Sequence, residues 1–482
     1  MQISPLEASP GTNLYEAVAE RIEWLIENET LRPGDRIPSV RKMHRQLSVS
    51  ISTVMQAYRI LEDRGLIEAR PQSGYYVRRS LRRSLEEPTV ARPAKSARRV
   101  RVSSLSVSLM DKLDQPGFVK LGAAIPDPEL MPAKALNRVM GQVLRNHPHG
   151  SHAYDTPAGC ERFRIQIARR MLDAGVSVSP DEIVTTCGAT EALYLALQAV
   201  TEPGDIVAVE TPTYYGILEK LELLQLKSLE IPTDPQEGLD LTTLEQVAAQ
   251  SKIKALVTVC NFSNPLGSCM PDERKRALVK IMSSRSLPII EDDINGELFY
   301  DSVRPKAIKA YDNTGLVIYC SSFSKTLSAG CRAGWCIPGD FTESVLQQKL
   351  AITHSSPMPT QLAIASYLRQ GGFDRHLRRI RRCYREQVLR VAEAVGQHFP
   401  EGTRVSNPQG GHVLWIEMPE SVNSLQLQEE AAEHRVSVAP GPLFSPVGQY
   451  LNCVRLNGGV RWDMRVEEAI ALVGRLARNQ LD

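Results

Sequence analysis

Apolar residues recur at helical spacing through Leu14, Val18, Ile22, Leu25 and Ile26, and Arg32-Pro33-Gly34-Asp35 closes that run with a turn. Pro38-Ser39-Val40-Arg41 opens a second, short helix that Ser39 can cap. Ser50 precedes a third helix, with Val54, Tyr58 and Leu61 on its buried stripe and Ser52, Thr53, Gln56 and Arg59 facing outward. Gly65 stops it. Two short β segments, residues 66–69 and 75–77, then flank the turn-forming Arg70-Pro71-Gln72-Ser73-Gly74. Three helices and a hairpin predict a winged helix-turn-helix over residues 12–78, with the third helix entering a major groove.

From residue 116 onward the pattern changes. Short apolar runs at 183–186, 205–209, 255–259, 288–290 and 316–319 alternate with helical stretches. Such runs predict strands of a mostly parallel sheet buried on both faces. The chemically suggestive residues fall just past the strand ends, where open α/β sheets bind ligands. Cys187-Gly188-Ala189-Thr190 opens a helix whose free N–H groups suit a phosphate. Tyr214 can stack on a flat heterocycle, and Asn264 can donate to a phenolate oxygen. Asp292, in Glu291-Asp292-Asp293, can pair with a pyridinium nitrogen. The fifth run leads into Ser321-Ser322-Phe323-Ser324-Lys325, with Arg332 seven residues beyond the lysine. An amine able to form an imine beside an anion site suits pyridoxal phosphate, whose phosphate Ser322 and Arg332 can hold.

Composition sharpens this picture in three ways. A chain of 482 residues exceeds one compact core, so two or three domains are expected. The net charge of +2 is unevenly spread: residues 1–110 carry 18 Lys/Arg against 12 Asp/Glu, and the remainder 39 against 43. A basic front end on a mildly acidic body points to a polyanion at the first domain. The nine cysteines form no Cys-x-x-Cys pair, and no apolar run approaches the ~20 residues of a membrane span. A cytoplasmic protein without disulfides, bound metal or a membrane anchor is expected. His147, His149 and His152 lie in a Pro/Gly-rich loop leading to Tyr154 and lack metal-ligand spacing, and Arg375, Arg378, Arg379, Arg381, Arg382 and Arg385 read as the solvated side of a helix. Residues 79–115, rich in arginine and broken by Pro88 and Pro93, read as a flexible basic linker able to track phosphates.

The front end resembles the GntR regulator family through Leu31-x-Pro33-Gly34-Asp35-x-x-Pro38-Ser39-x-Arg41, Ser50-x-Ser52-Thr53-Val54, Leu61-Glu62-x-x-Gly65-Leu66-Ile67 and Gly74-Tyr75-Tyr76-Val77. The resemblance implies DNA contacts from Arg41, Ser50, Ser52, Thr53 and Gly74, and Arg59 shares their outward face. Ile51 stands where many members carry arginine, so base readout there differs.

Residues 116–482 resemble the fold-type I pyridoxal-phosphate enzymes, class I aminotransferases in particular. That resemblance implies a large subdomain at about 155–340 and a smaller α+β subdomain at about 341–482 with part of 116–154. Lys325 becomes the imine-forming, catalytic lysine; Asp292 meets the ring nitrogen, Asn264 the ring hydroxyl, and Tyr214 the ring face. Gly188, Ala189, Thr190, Ser322 and Arg332 surround the phosphate, and Tyr154 reaches the phosphate of a neighbouring subunit. Arg455 grips a substrate carboxylate, and Gly122 belongs to the loop that closes over it. Three residues beyond the ring-nitrogen aspartate these enzymes carry a tyrosine; here it is Asn295, which does not ionise.

A GntR head joined to an aminotransferase-like body is the layout of the MocR subfamily of transcriptional regulators. The expected protein binds double-stranded DNA as a head-to-tail, domain-swapped homodimer and senses an amino compound or pyridoxal phosphate through Lys325. The competing expectation is a working aminotransferase with a regulatory head, which Lys325 and Arg455 favour and Asn295 opposes.

Overall fold

The computed structural model describes residues 13–28, 30–32, 34–63, 66–70, 73–77, 85–91, 96–113, 115–250 and 252–481. The chain divides into two compact units, residues 1–84 and 85–482.

In the first unit, helices Leu14–Glu27, Val40–Leu47 and Ile51–Asp63 precede an antiparallel pair, Ile67–Arg70 and Gly74–Val77, in register Ile67↔Val77. Val18, Ile22, Met43, Val54, Tyr58, Leu61, Ile67 and Val77 form its buried core. The Ser39 hydroxyl accepts from Lys42 N, capping the second helix as expected. The Ser50 hydroxyl accepts from Thr53 N at 3.1 Å at the start of the third. Tyr58 donates to the Pro38 carbonyl at 2.6 Å, which fixes the third helix against the entry of the second. Ser52, Gln56 and Arg59 are exposed on that helix, and Arg41 on the second. Gly74 has φ +100°, a backbone suited to glycine at the hairpin tip. Gly65, Pro71 and Gln72 lie outside the described residues.

The second unit is built on a nine-stranded sheet. Strands Lys227–Asp234, Ile206–Thr211, Ile253–Thr258, Ile289–Asp292 and Val317–Ser322 run parallel in that order, followed by the antiparallel Gly334–Ile337 and then Val184–Thr186. Both faces are covered. Val207, Val209, Val257, Ile290 and Ile318 pack into one apolar cluster, and their neighbours Ala208, Leu256, Ile289 and Val317 into another. Two buried faces explain why these strands read as unbroken apolar runs. A smaller antiparallel sheet joins Arg404–Val405, Val413–Glu417, Cys453–Asn457 and Ala439–Pro440. Val119–Lys120 pairs with Val436–Ser437 beside it, so the chain just after residue 116 belongs to this smaller part.

The expectation of a flexible linker across 79–115 is corrected for residues 85–91 and 96–113, while 79–84, 92–95 and 114 lie outside the described residues. Arg98–Arg99 pairs antiparallel with Lys227 and Ser228 at the edge of the large sheet, and Val100 and Val102 are buried. A helix, Ser103–Leu113, follows. Its start is anchored by Glu222, whose carboxylate accepts from Val102 N, Ser103 N and the Ser103 hydroxyl at 2.8–3.0 Å. Further upstream, Glu86 pairs with Arg404 at 3.1 Å, and Thr89 donates to Glu417. The arginine-rich composition concealed this: the arginine side chains face outward while their backbone completes a sheet edge.

Among the described residues no helix is long and apolar enough to cross a membrane, and no group of three or more His, Cys, Asp or Glu is placed to hold a metal ion. All nine cysteines are free thiols.

Candidate cofactor site

Parallel strands deliver their C-terminal ends to one side of the sheet, and a cavity of about 250 Å³ lies there. Ala189, Thr190, Tyr214, Asn264, Asp292, Ser322, Lys325 and Arg332 all line it, although they span nearly 150 positions of sequence.

Asp292 ends its strand and is buried. Burial, foremost, pushes its carboxyl up to about 7; Asp293 adds to the rise, while the Ile294 N–H, Lys220 and Lys325 oppose it. Lys325 follows the next strand. Burial, then Arg455, lowers its amine to about 8 against the pull of Asp292. The amine donates to the carbonyl of Ala124. The backbone that carries it is braced by Tyr384, which donates to the Lys325 carbonyl at 3.3 Å, and by His376, whose Nε2 lies 2.8 Å from the Thr326 carbonyl.

Gly188 stands at the N-terminus of helix Ala189–Val200 with φ +87° and no side-chain cap. A Cβ there would lie 2.6 Å from the Arg332 guanidinium, so only glycine permits that approach. Arg332 donates to the Cys187 carbonyl at 2.8 Å, which holds the guanidinium against the helix start. The Ser322 hydroxyl accepts from Ser324 N. Tyr214 precedes helix Tyr215–Leu223, and burial raises its phenol.

Four expected residues are not on the cavity wall: Gly188, which precedes the wall residues Ala189 and Thr190, and Arg455, Gly122 and Tyr154. Arg455 is fully buried behind it, donating to the Gly122 carbonyl and, at 3.2 Å, to Asn264 Oδ1. Gly122 therefore meets Arg455 through its own carbonyl. Tyr154 is 85 % exposed, edge-on to His354, and contributes nothing to the cavity of its own chain.

The structure also adds residues the sequence did not single out. His412 and Met110 line the cavity. His412 Nε2 lies 3.3 Å from the Ala124 carbonyl, and burial holds its imidazole down to about 3, so the ring is neutral and donates. A Gly-Gly pair before a strand was its only signal. Met110 comes from helix Ser103–Leu113, whose sequence was hidden in the supposed linker. Lys349, also missed, is fully buried and donates to the carbonyls of Pro157 and Thr185. It ties the loop before Cys160 to the strand that leads into Gly188. Asn295 is buried on the cavity wall; its Nδ2 donates to the Phe262 carbonyl at 2.9 Å, and its Oδ1 has no partner.

A buried carboxyl, a lysine of lowered basicity, a glycine-led helix start with a neighbouring guanidinium and a flat aromatic wall fit pyridoxal phosphate in charge and in shape. The comparisons agree with that fit. Residues 117–462 match the family described as aminotransferase class I and II, and residues 14–77 match the bacterial regulatory proteins of the gntR family. The HTH-type transcriptional regulator YdcR of Escherichia coli is 37 % identical over 97 % of this chain and 99 % of its own length. YjiR of the same organism is 36 % identical over 95 % and 98 %. Among solved structures, the α-aminoadipate aminotransferase LysN of Thermus thermophilus, complexed with N-(5'-phosphopyridoxyl)-L-leucine, superposes with a TM-score of 0.73 at 27 % identity, covering 80 % of this chain and 96 % of its own. A Pyrococcus horikoshii kynurenine aminotransferase gives the same TM-score at 28 % identity, covering 79 % and 96 %. The chain belongs to the aminotransferase class I and II family and, with its GntR head, is a transcriptional regulator of the MocR type.

Proposed function

We propose that this regulator senses an amino compound, or pyridoxal 5'-phosphate itself, at Lys325 and converts that occupancy into altered operator binding. One observation carries the reading: Met110, from the segment through which the chain arrives from the winged helix, lines the same cavity as Lys325 and Asp292. A ligand filling the cavity bears directly on that segment.

When bound, the cofactor supplies a carbon electrophilic toward amines and a ring that withdraws electrons from it. The protein's part is to position and to tune. Lys325, lowered to about 8, presents an unprotonated amine at far lower pH than an ordinary lysine. In this reading Asp292 holds the ring nitrogen, Asn264 the ring hydroxyl and Tyr214 the ring face, a reading supported by their shared cavity. The helix start at Gly188, Ala189 and Thr190, with Ser322 and Arg332, holds the phosphate in the same reading. Arg455 serves a ligand carboxylate once the Gly122 carbonyl yields, and Tyr154, exposed on its own chain, serves the partner's site in a homodimer. Arg41, Ser50, Ser52, Thr53, Arg59 and Gly74 carry the DNA contacts, with a head-to-tail arrangement placing each head on the partner's body. Nine free thiols suit a reducing cytoplasm.

The test is to mix the cofactor-loaded protein with a panel of amino acids, following both the cofactor absorbance and keto-acid release. A changed spectrum without sustained keto-acid release supports the sensor. Turnover over many cycles overturns it in favour of an enzyme.

A further inference from the structure

We infer that Asn295 holds the ring oxygen of bound cofactor as a neutral hydroxyl, accepting the hydrogen bond that this hydroxyl donates. The inference rests on reading the Lys325 cavity as a pyridoxal phosphate site, and it concerns the protonation state that site selects.

Asn295 is 4 % exposed, and its amide can point only one way. Nδ2 donates to the Phe262 carbonyl at 2.9 Å, and a carbonyl oxygen only accepts. Turning the amide end for end would set two oxygens against each other. Phe262 cannot easily withdraw its carbonyl, because it is a buried phenylalanine held at φ +55°. The end of Asn295 left over is therefore Oδ1, a buried acceptor without a donor. Such a group is costly unless something supplies the missing hydrogen.

The neighbouring wall supplies the complement. Asn264 lies two residues beyond Phe262, and its Oδ1 is taken by Arg455 Nη1 at 3.2 Å. Its free end is the NH₂, a donor. Two amides thus present opposite ends to the cavity, a donor from Asn264 and an acceptor from Asn295. A ligand oxygen that satisfies both must accept one hydrogen bond and donate another. A hydroxyl does so; an ionised oxygen satisfies only Asn264 and faces the lone pairs of Asn295. With Asp292 three residues before Asn295 on the same wall, the site complements a hydroxypyridine with its ring oxygen protonated. By keeping that proton on the ring oxygen, Asn295 withholds it from the Nζ of Lys325. The carbon there becomes less electrophilic, which suits holding a ligand over turning it over. Asn295 could otherwise be a pin for the Phe262 turn alone, and a pin would leave the protonation state of the cofactor untouched.

The experiment is an absorbance titration of the full-length protein loaded with pyridoxal 5'-phosphate, from pH 6.5 to 9, for the natural chain and Asn295→Tyr. The protonated-hydroxyl band, at shorter wavelength, is expected to dominate the natural protein throughout. Asn295→Tyr replaces the acceptor with a phenol donor and is expected to raise the ionised-hydroxyl band severalfold. If that variant does not fold, as judged by thermal melting, the natural protein's spectrum still decides. A bound cofactor whose ionised band dominates in the natural protein overturns the inference and leaves the site reading intact. Absence of any bound cofactor overturns the site reading itself.

Discussion

Lys325 and His412 converge on a single acceptor, the carbonyl oxygen of Ala124. The histidine is neutral, so its presence costs the lysine little charge repulsion, and the carbonyl gives the lysine amine a resting place inside the cavity. Burial and Arg455 lower that amine from 10.5 to about 8. Only the unprotonated amine attacks an aldehyde. The rate at which apoprotein takes up pyridoxal phosphate is therefore expected to rise with pH and level off above about 8. Stopped-flow absorbance between pH 6.5 and 10 checks this; a rate still climbing at pH 10 would mean an ordinary lysine.

Asp292→Asn makes a second pH-dependent case. Its carboxyl is raised to about 7 in the folded chain, above its unfolded value of 3.8, so the folded state holds the proton longer. A folded pKa raised in this direction means a stability contribution lost as pH rises from about 4 to about 7, and constant beyond. The apoprotein of Asp292→Asn is expected to gain melting temperature relative to the natural chain as pH rises from 5 to 7, while binding cofactor more weakly. A difference that stays flat with pH would place Asp292 outside a desolvated site.

Much of this cavity is legible in the sequence, and the reason is physical. Strands buried on both faces must be apolar throughout, so the runs around Val207, Leu256, Ile289 and Val317 stood out, and chemistry at a parallel sheet gathers at strand ends. Lys325, Asp292 and Asn264 followed from that rule. The strand Lys227–Asp234 was missed because Lys227, Glu230 and Asp234 interrupt its apolar pattern. Met110 was missed because an edge strand needs only its backbone, and Arg98 and Arg99 made that backbone look like a solvated tether. The masking of Arg455 by the Gly122 carbonyl has no sequence signature at all, since it joins residues more than 300 positions apart.

Glu222→Ala tests whether the segment carrying Met110 transmits the signal. The carboxylate holds the start of helix Ser103–Leu113 through two backbone N–H groups and one hydroxyl. Its loss is expected to cost about 1–2 kcal/mol locally. Faster hydrogen exchange across residues 102–110 should appear, with cofactor affinity retained and the operator response to ligand weakened. An unchanged operator response despite the faster exchange would exclude this route.

In the winged helix, Arg41→Ala and Arg59→Ala are each expected to weaken operator binding by about 1–3 kcal/mol if they reach base edges. If they reach phosphates instead, each should lower the slope of log affinity against log salt by about one. Fluorescence anisotropy at several salt concentrations separates the two, and a loss of neither kind would remove that residue from the interface.

We propose above all that occupancy at Lys325 governs the DNA head. The deciding measurement is operator affinity for the DNA upstream of the protein's own gene, with and without pyridoxal phosphate, for the natural chain and for Lys325→Ala. The natural chain is expected to change its affinity when the cofactor is added, and Lys325→Ala to give one affinity in both conditions. An equal response from both proteins, or no response from the natural chain, would mean that Lys325 does not control the DNA head.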